Sequence, residues 1–400
     1  MKILFLSHRI PWPLRDGGAI AIYNNILGLK QAGHVVKLLC LNPQKDQVDT
    51  TSLPSLFSDC GLEYISIDTS IKPLAALLNL FGSGSYNAAR FANGEFASLI
   101  ELSLEVFNPD WVHIEGAFAA QYIDVIKANQ PVPCVLREHN VEYEIWQEMA
   151  AGEQNPLKKF YLNLLASRLK TYEEALWQKF DLIFSITEED AGIMRKRVGD
   201  TKVFNGGVGF DLSPYLAVTE LGDSRKAYHL ASMDWLPNQE AVEWTLNEIW
   251  PAMYSAMPEM ELYLAGKKMP ERFLNQNGGK LHIEAEVADV QDYSRDKGLM
   301  LVPLRSGSGI RIKTIEAMAM GKVVISTRRG LQGLGAQSGE HLLEANTAEE
   351  FAEAAALVQS DEALRQNIAQ KARQFALENF ELSQVIERNV KRCLSLLPTA

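Results

Sequence analysis

Cysteine is scarce in this chain. Its four residues, Cys40, Cys60, Cys134 and Cys393, lie far apart with no C-x-x-C pair, so neither a zinc knuckle nor a dithiol redox motif is indicated and reduced, mostly buried thiols are expected. A basic excess is also missing. The 39 Lys and Arg residues stand against 50 Asp and Glu, a formal charge of −11, which argues against nucleic acid as a partner because phosphate backbones demand a cationic surplus. No stretch approaches the ~20 apolar residues that span a bilayer, and the apolar run after Met1 stops at His8 and Arg9, short of a secretory signal core. A cytoplasmic protein is expected, with peripheral contact at the inner membrane face left open. The G-x-S-x-G, H-E-x-x-H, P-loop and EF-hand spacings do not occur, which removes the usual support for hydrolase, zincin, NTPase and calcium readings.

What remains is an ordinary folded composition, 47% apolar and 22% charged, in a chain longer than one hydrophobic core usually organises. Apolar strand candidates at 3–6, 35–41, 111–114, 133–136, 182–186 and 202–204 alternate with helical patterns. After the glycine-rich "NGGVGFDLSPY" the alternation restarts, with strands near 227–231, 262–265, 281–283, 299–302 and 323–326. Two such series predict two doubly wound parallel-sheet α/β domains: residues 1–208, then 209–380, followed by a terminal helical segment over 381–400. The tryptophans and the apolar "LAALLNLF" of residues 74–81 are assigned to the core or to the wall of a binding cleft, with membrane-surface contact as the alternative.

Four segments can carry chemistry. In "PLRSGSGIRIKTIEAMAMGKVVIST" a turn of Ser306, Gly307, Ser308 and Gly309 precedes a helix, where free backbone N–H groups and the helix dipole favour an anion. Arg311 and Lys313 add charge for a phosphorylated ligand, and Glu316, three residues after Lys313, offers a carboxylate for hydroxyls. A simple surface ion pair between Lys313 and Glu316 explains the same spacing. Gly17 and Gly18 follow the first strand, where ligands bind in open parallel sheets, although a plain turn would read the same way. "LREHNVEYEIW" places His139 at another strand end beside Glu138, Glu142 and Glu144; its H-x-x-E spacing fits no zinc pattern, so no metal is expected. In "ASMDWLPNQEAVEW", Asn238 is a candidate cap for the next helix.

Together these segments resemble glycosyltransferase family 4, the retaining group 1 enzymes of GT-B architecture. "EAMAMGKVVIS" is similar to the family's "EAMAxGxPVV", and Pro13, Gly17, Gly18, Gly33, His34 and Val35 match its N-terminal pattern of Pro, Gly-Gly, helix and "GHxV". "ASMDWLPN" looks like a subgroup with "GSMDWxPN". The resemblance implies two Rossmann-like domains facing across a cleft, with the C-terminal helix crossing back to the first. It implies a sugar moved, with retention, from a nucleotide diphosphate sugar to a hydroxyl of a glycan or lipid-linked acceptor in cell-surface polysaccharide or glycolipid synthesis. The donor serves as co-substrate, with no cofactor and no metal. By the same resemblance Glu316 holds the ribose, His139 reaches the sugar, the Gly17–Gly18 loop faces the diphosphate, and Arg311 and Lys313 neutralise it. Two departures stand out. The family's "KG" pair is missing near Asp234, and Ser308 occupies the place of the earlier of two glutamates, which leaves sugar identity open. A GT-B nucleotide-sugar epimerase and a non-catalytic nucleotide-sugar-binding protein remain as alternatives.

Overall fold

A computed structural model describes residues 1–70, 85–307 and 309–397; Ser308 and the 74–81 segment therefore lie outside the described residues. The chain divides into two compact units, Met1–Gly209 with Val385–Ala400, and Phe210–Gln384.

The first unit is built on seven parallel strands: β1 (Lys2–Ser7), β2 (Val35–Pro43), β3 (Glu63–Ile67), β4 (Trp111–Glu115), β5 (Cys134–Glu138), β6 (Leu182–Ser185) and β7 (Val203–Asn205), in the order β3-β2-β1-β4-β5-β6-β7. Every residue of β4 and β5 is buried, as expected where helices cover both sheet faces and the strand becomes an apolar run without alternation. Leu4, Leu6, Val112, Ile114 and Leu136 belong to one core with Phe96, Leu169 and Trp177 from the helices.

In the second unit the sheet has six parallel strands: β8 (Asp223–Leu230), β9 (Glu261–Ala265), β10 (Leu281–Glu284), β11 (Lys297–Val302), β12 (Val323–Ser326) and β13 (Leu343–Glu344), in the order β10-β9-β8-β11-β12-β13. Its core gathers Leu262, Leu264, Leu299, Leu301, Val323 and Ile325 with Trp244 and Phe351. In each sheet the strand order reverses between two neighbours, β1 and β4 in the first and β8 and β11 in the second. Ligands of open α/β sheets bind outside the carboxyl ends of strands at such a reversal.

The last helix spans Leu382–Leu394, within the terminal helical segment expected over 381–400. Asn389 donates from Nδ2 to the Gly206 carbonyl at 3.0 Å, and Arg392 lies over the Phe204 ring, 4.3 Å from its centroid. The chain's end is thereby tied to the carboxyl edge of β7. Among the described residues, no helix is long and apolar enough to cross a membrane.

Candidate functional site

In the second unit, β11 ends at Val302 and the chain turns through Gly307 and Gly309, both at positive φ (92° and 87°), where only glycine is unstrained. A Cβ on Gly307 would lie 2.4 Å from carbons of the Trp235 ring, so the loop rests directly on that indole. Arg311 follows in extended conformation as N-cap of the helix Ile312–Ala319, and no side chain caps that helix start. The helix's first amide groups are thus available to an anion, as the sequence suggests for this segment. The Ser306 hydroxyl is not part of that opening, because it donates to Glu240 Oε2 at 2.6 Å.

Arg311 is buried, with its guanidinium carbon 4.9 Å from the Trp235 ring centroid. Burial, followed by the charge of Arg329, lowers its pKa to about 10, which leaves it cationic at neutral pH. Lys313 does not form the surface ion pair with Glu316 that spacing allows. Its Nζ instead donates to Asn238 Oδ1 at 3.4 Å, and burial, then the neighbouring Arg311 charge, lowers its pKa to about 7 against the pull of Glu316. Asn238 is not the helix cap expected from sequence. Pro237 lets the helix Leu236–Trp244 begin earlier, at the N-cap Trp235, and the Asn238 amide is left to bridge Lys313 and the Ser232 carbonyl, the latter at 2.7 Å.

Glu316 takes a hydrogen bond at Oε1 from the Tyr215 hydroxyl at 2.6 Å, while Oε2 has no hydrogen-bond partner among the described residues. Burial raises this carboxyl, with Tyr215 and Lys313 opposing. Deeper in the sheet, His229 donates from Nδ1 to the Leu301 carbonyl at 2.9 Å. Burial, then Lys313, pushes its pKa down to about 3, so it adds no charge. The second unit therefore assembles two cations, an uncapped helix start and a carboxylate with one oxygen held and the other open. That set suits an anionic ligand carrying hydroxyls. Trp235 and Tyr215 are members that sequence reasoning did not single out.

In the first unit, His139 has a carboxylate partner, but not one of its sequence neighbours. Successive strand residues face opposite sides. Glu138 points toward Trp177, whose Nε1 donates to it at 3.3 Å, and His139 Nε2 donates to Glu115 Oε2 at 2.5 Å. Glu115, the last residue of β4, is fully buried. It also accepts from His113 Nε2 at 3.0 Å, Asn25 Nδ2 at 2.8 Å and Arg137 Nη1 at 3.3 Å. Burial by itself would raise the Glu115 carboxyl, yet the Arg137 charge and the two histidine hydrogen bonds outweigh it and hold the pKa well below the usual range. With Nε2–H committed to this anion, His139 presents Nδ1, which lies 3.6 Å from where a Cβ on Gly18 would sit.

Gly17 and Gly18 open the helix Gly17–Gln31, but its start already carries an anion. Asp16 caps it by accepting from Ala19 N at 3.0 Å and pairs with Arg9 at 2.5 Å. At the carboxyl ends of β1 and β2 lies a pocket of about 640 Å³ whose lining includes His8, Arg9, Arg90, Phe91 and Phe118. Phe91 and Phe118 stack with centroids 4.8 Å apart, and the His8 ring meets both edge-on. Burial, then the Arg9 charge, lowers His8 to about 4, so it lines the pocket as a neutral ring.

Behind His139 lies a second carboxylate pair. Glu138 and Glu173 are both buried. Burial and then the Glu173 charge hold Glu138 well above the ordinary range, and burial raises Glu173 although Tyr143 N and Glu142 N donate to it. A carboxyl raised in the fold contributes stability that is complete below its unfolded value, near 4.3, and is lost as pH climbs through its folded value. Glu138→Gln removes one such group. Relative to wild type, the variant is expected to gain stability as pH rises from about 5 toward neutrality and above, read as a difference in Tm that widens with pH. Parallel Tm profiles from calorimetry across that range would refute the assignment.

The comparisons with known proteins agree with this anatomy. Residues 225–361 match the family model described as Glycosyl transferases group 1. Over 96% of the chain there is 22% identity to 97% of a Klebsiella pneumoniae protein described as an uncharacterized 44.6 kDa protein in the cps region. Anabaena Alr3699/HepE, solved in complex with UDP, superposes with a TM-score of 0.62 at 13% identity over 99% of this chain and 100% of its own. Sucrose-phosphate synthase from Thermosynechococcus elongatus gives 0.62 at 14%, covering 99% of each chain. A glycosyltransferase from Rickettsia africae gives 0.60 at 14%, over 100% of this chain and 99% of its own. The chain therefore has the GT-B fold of these structures, and residues 225–361 are similar to the group 1 glycosyltransferase model.

Proposed function

We propose that the protein transfers a hexosyl group, with retention, from a nucleotide diphosphate sugar to a hydroxyl of a glycan or lipid-linked acceptor in cell-surface polysaccharide synthesis. The observation that carries this reading is the cluster around the helix Ile312–Ala319, where Arg311, Lys313 and an uncapped amide terminus adjoin a Glu316 carboxylate held by Tyr215. Negative charge grows on the leaving diphosphate as the glycosidic bond breaks, and preorganised donors aimed at it lower the barrier. In this reading Arg311, Lys313 and the amides at Gly307 and Gly309 bind the diphosphate. Glu316 Oε2 accepts from the ribose hydroxyls. His139 Nδ1, beside Gly17 and Gly18, orients the transferred sugar, and the aromatic pocket of the first unit accommodates the acceptor. The leaving phosphate takes the acceptor's proton, so no protein nucleophile is used, and the bound cations make a metal unnecessary. The cps-region relative supports the polysaccharide setting, and the UDP complex of a protein of the same fold supports a nucleotide donor.

A panel of nucleotide diphosphate sugars, read by thermal stabilisation, identifies the donor, because a ligand at a hundred times its Kd adds about 2.7 kcal/mol. Glu316→Ala is expected to weaken that donor about tenfold without lowering the Tm of the free protein, since it deletes hydrogen bonds and no core volume. Unchanged affinity in the folded variant would refute the ribose role. Transfer is expected to survive EDTA; turnover that stops with chelator and returns with Mg²⁺ or Mn²⁺ would overturn the leaving-group account. An epimer formed from the donor alone would replace the reading with epimerisation.

A further inference from the structure

The pocket at the carboxyl ends of β1 and β2 carries more than an aromatic surface. Its volume of about 640 Å³ suits a small ligand, since such sites run from about 300 to 1,000 Å³. Four cations line it, Arg9, Arg15, Lys45 and Arg90, against two carboxylates, Asp16 and Asp46. That is a local basic excess in a chain whose net charge is −11. Asp16 is taken by Arg9, at 2.5 Å, and Asp46 shares the short turn Gln44–Asp46 with Lys45. Arg15 and Arg90 have no ion pair among the described residues. Arg90 is the more informative of the two. It is half-buried, and it donates from Nη1 to the Thr69 carbonyl at 2.8 Å and from Nη2 to Asn87 Oδ1 at 3.4 Å. Both acceptors are neutral, so they hold the guanidinium in place and leave its charge uncancelled. A positioned guanidinium without a counter-ion, at the wall of an open pocket, is an arrangement that recognises an oxyanion.

We propose that this pocket takes an acceptor sugar bearing a phosphate or carboxylate group, with the sugar ring against Phe91 and Phe118 and the anion on Arg90 and Arg15. The proposal rests on the reading of this pocket as the acceptor site, and it names the chemical class of that acceptor. The apolar ring faces supply contact area and the two cations supply orientation, the usual division of labour in a small-ligand site. The donor diphosphate is assigned to Arg311 and Lys313, which leaves Arg15 and Arg90 for a different anion. A neutral glycan would use neither cation.

The test is binding of glucose, glucose 6-phosphate and glucuronate to the full chain, measured by ligand-observed NMR titration. Wild type is expected to bind at least one charged sugar about tenfold or more tighter than glucose, and less tightly as salt is added. Preference for glucose 6-phosphate assigns a phosphate to the acceptor, and preference for glucuronate a carboxylate. Arg90→Gln is expected to lose about tenfold in that binding, and Arg15→Gln severalfold. Arg15 is exposed, so its variant is expected to fold even if loss of the Thr69 contact unsettles Arg90→Gln. Arg90→Lys, which keeps the charge without the planar fork, should lose less than Arg90→Gln. A nucleotide sugar that stabilises wild type is expected to stabilise each variant equally. If a chain so stabilised binds charged sugars no better than glucose, or if the preference survives in both Gln variants, the anionic acceptor is overturned and sugar transfer is not. If no nucleotide sugar stabilises wild type while a charged sugar binds through Arg90, the transfer reading fails and the anion-binding pocket stands.

Discussion

Glu115→Ala is expected to cost the first unit about 3–5 kcal/mol of stability, because it strands the Arg137 guanidinium in a buried site without its counter-charge. Arg137 is 2% exposed and Glu115 fully buried, so water cannot take over. The other Arg137 contacts are carbonyls, Ala21 O at 3.3 Å and Gly207 O at 2.9 Å, which satisfy N–H groups but cancel no charge. Urea unfolding followed by tryptophan fluorescence measures the loss, with Trp111 and Trp177 as probes in that unit. Glu115→Leu combined with Arg137→Met is expected to lose less than the single change, since an apolar pair strands nothing. A single-mutant cost below about 1 kcal/mol would mean that the pair is solvated in solution. His139 supplies an independent readout. Its Nε2–H tautomer is set by Glu115, so nitrogen NMR of wild type should report that tautomer, and the Glu115→Leu, Arg137→Met variant, which offers no acceptor, should lose it.

This hub shows where the sequence stops being readable. The strand ending in "WVHIE" is legible as an apolar run, and its final glutamate looks like any polar boundary residue. Nothing local says that it meets His139, 24 residues on, or Asn25, 90 residues back. The nearby Glu138, Glu142 and Glu144 look like better partners for His139, but strand alternation turns Glu138 away and the other two belong to the helix Glu142–Gly152. Tyr215 escapes notice for the same reason, lying 101 residues from the Glu316 that it fixes. The central strands are legible because both faces are covered and most of their residues are apolar. Two edge strands give no comparable signal: in β3 only Ile67 is buried, and β13 has two residues. The glycine turn before Arg311 is readable because backbone geometry alone demands it. The burial that lowers Lys313 comes from distant packing and is not.

Neutralising either cation beside the helix Ile312–Ala319 is expected to lower sugar transfer about a hundredfold while weakening donor binding only severalfold. If Arg311 and Lys313 act on charge that appears as the bond breaks, the loss falls on kcat, because an interaction made only in the transition state does not stabilise the ground state. One such preorganised group is worth on the order of 3 kcal/mol. Arg311→Gln also removes the contact with the Trp235 face that supports Gly307, so Arg311→Lys serves as a second variant that retains the charge without the planar fork. Lys313 adds a pH signature. Burial and Arg311 lower its pKa to about 7 in the ligand-free protein, and a bound diphosphate favours the charged form and raises that value. Donor binding between about pH 7 and 8 should therefore take up only a fraction of a proton, because a severalfold difference in affinity corresponds to a shift of less than one unit. Affinity should fall severalfold in all as pH rises above the ligand-free value, and both effects should vanish in Lys313→Gln. Calorimetry in buffers of different ionisation enthalpy measures the uptake, and single-turnover kinetics with the donor found by stabilisation measures the rate. Equal losses in rate and affinity would reduce the two residues to ground-state binding. Proton uptake unchanged in Lys313→Gln would place the titrating group elsewhere.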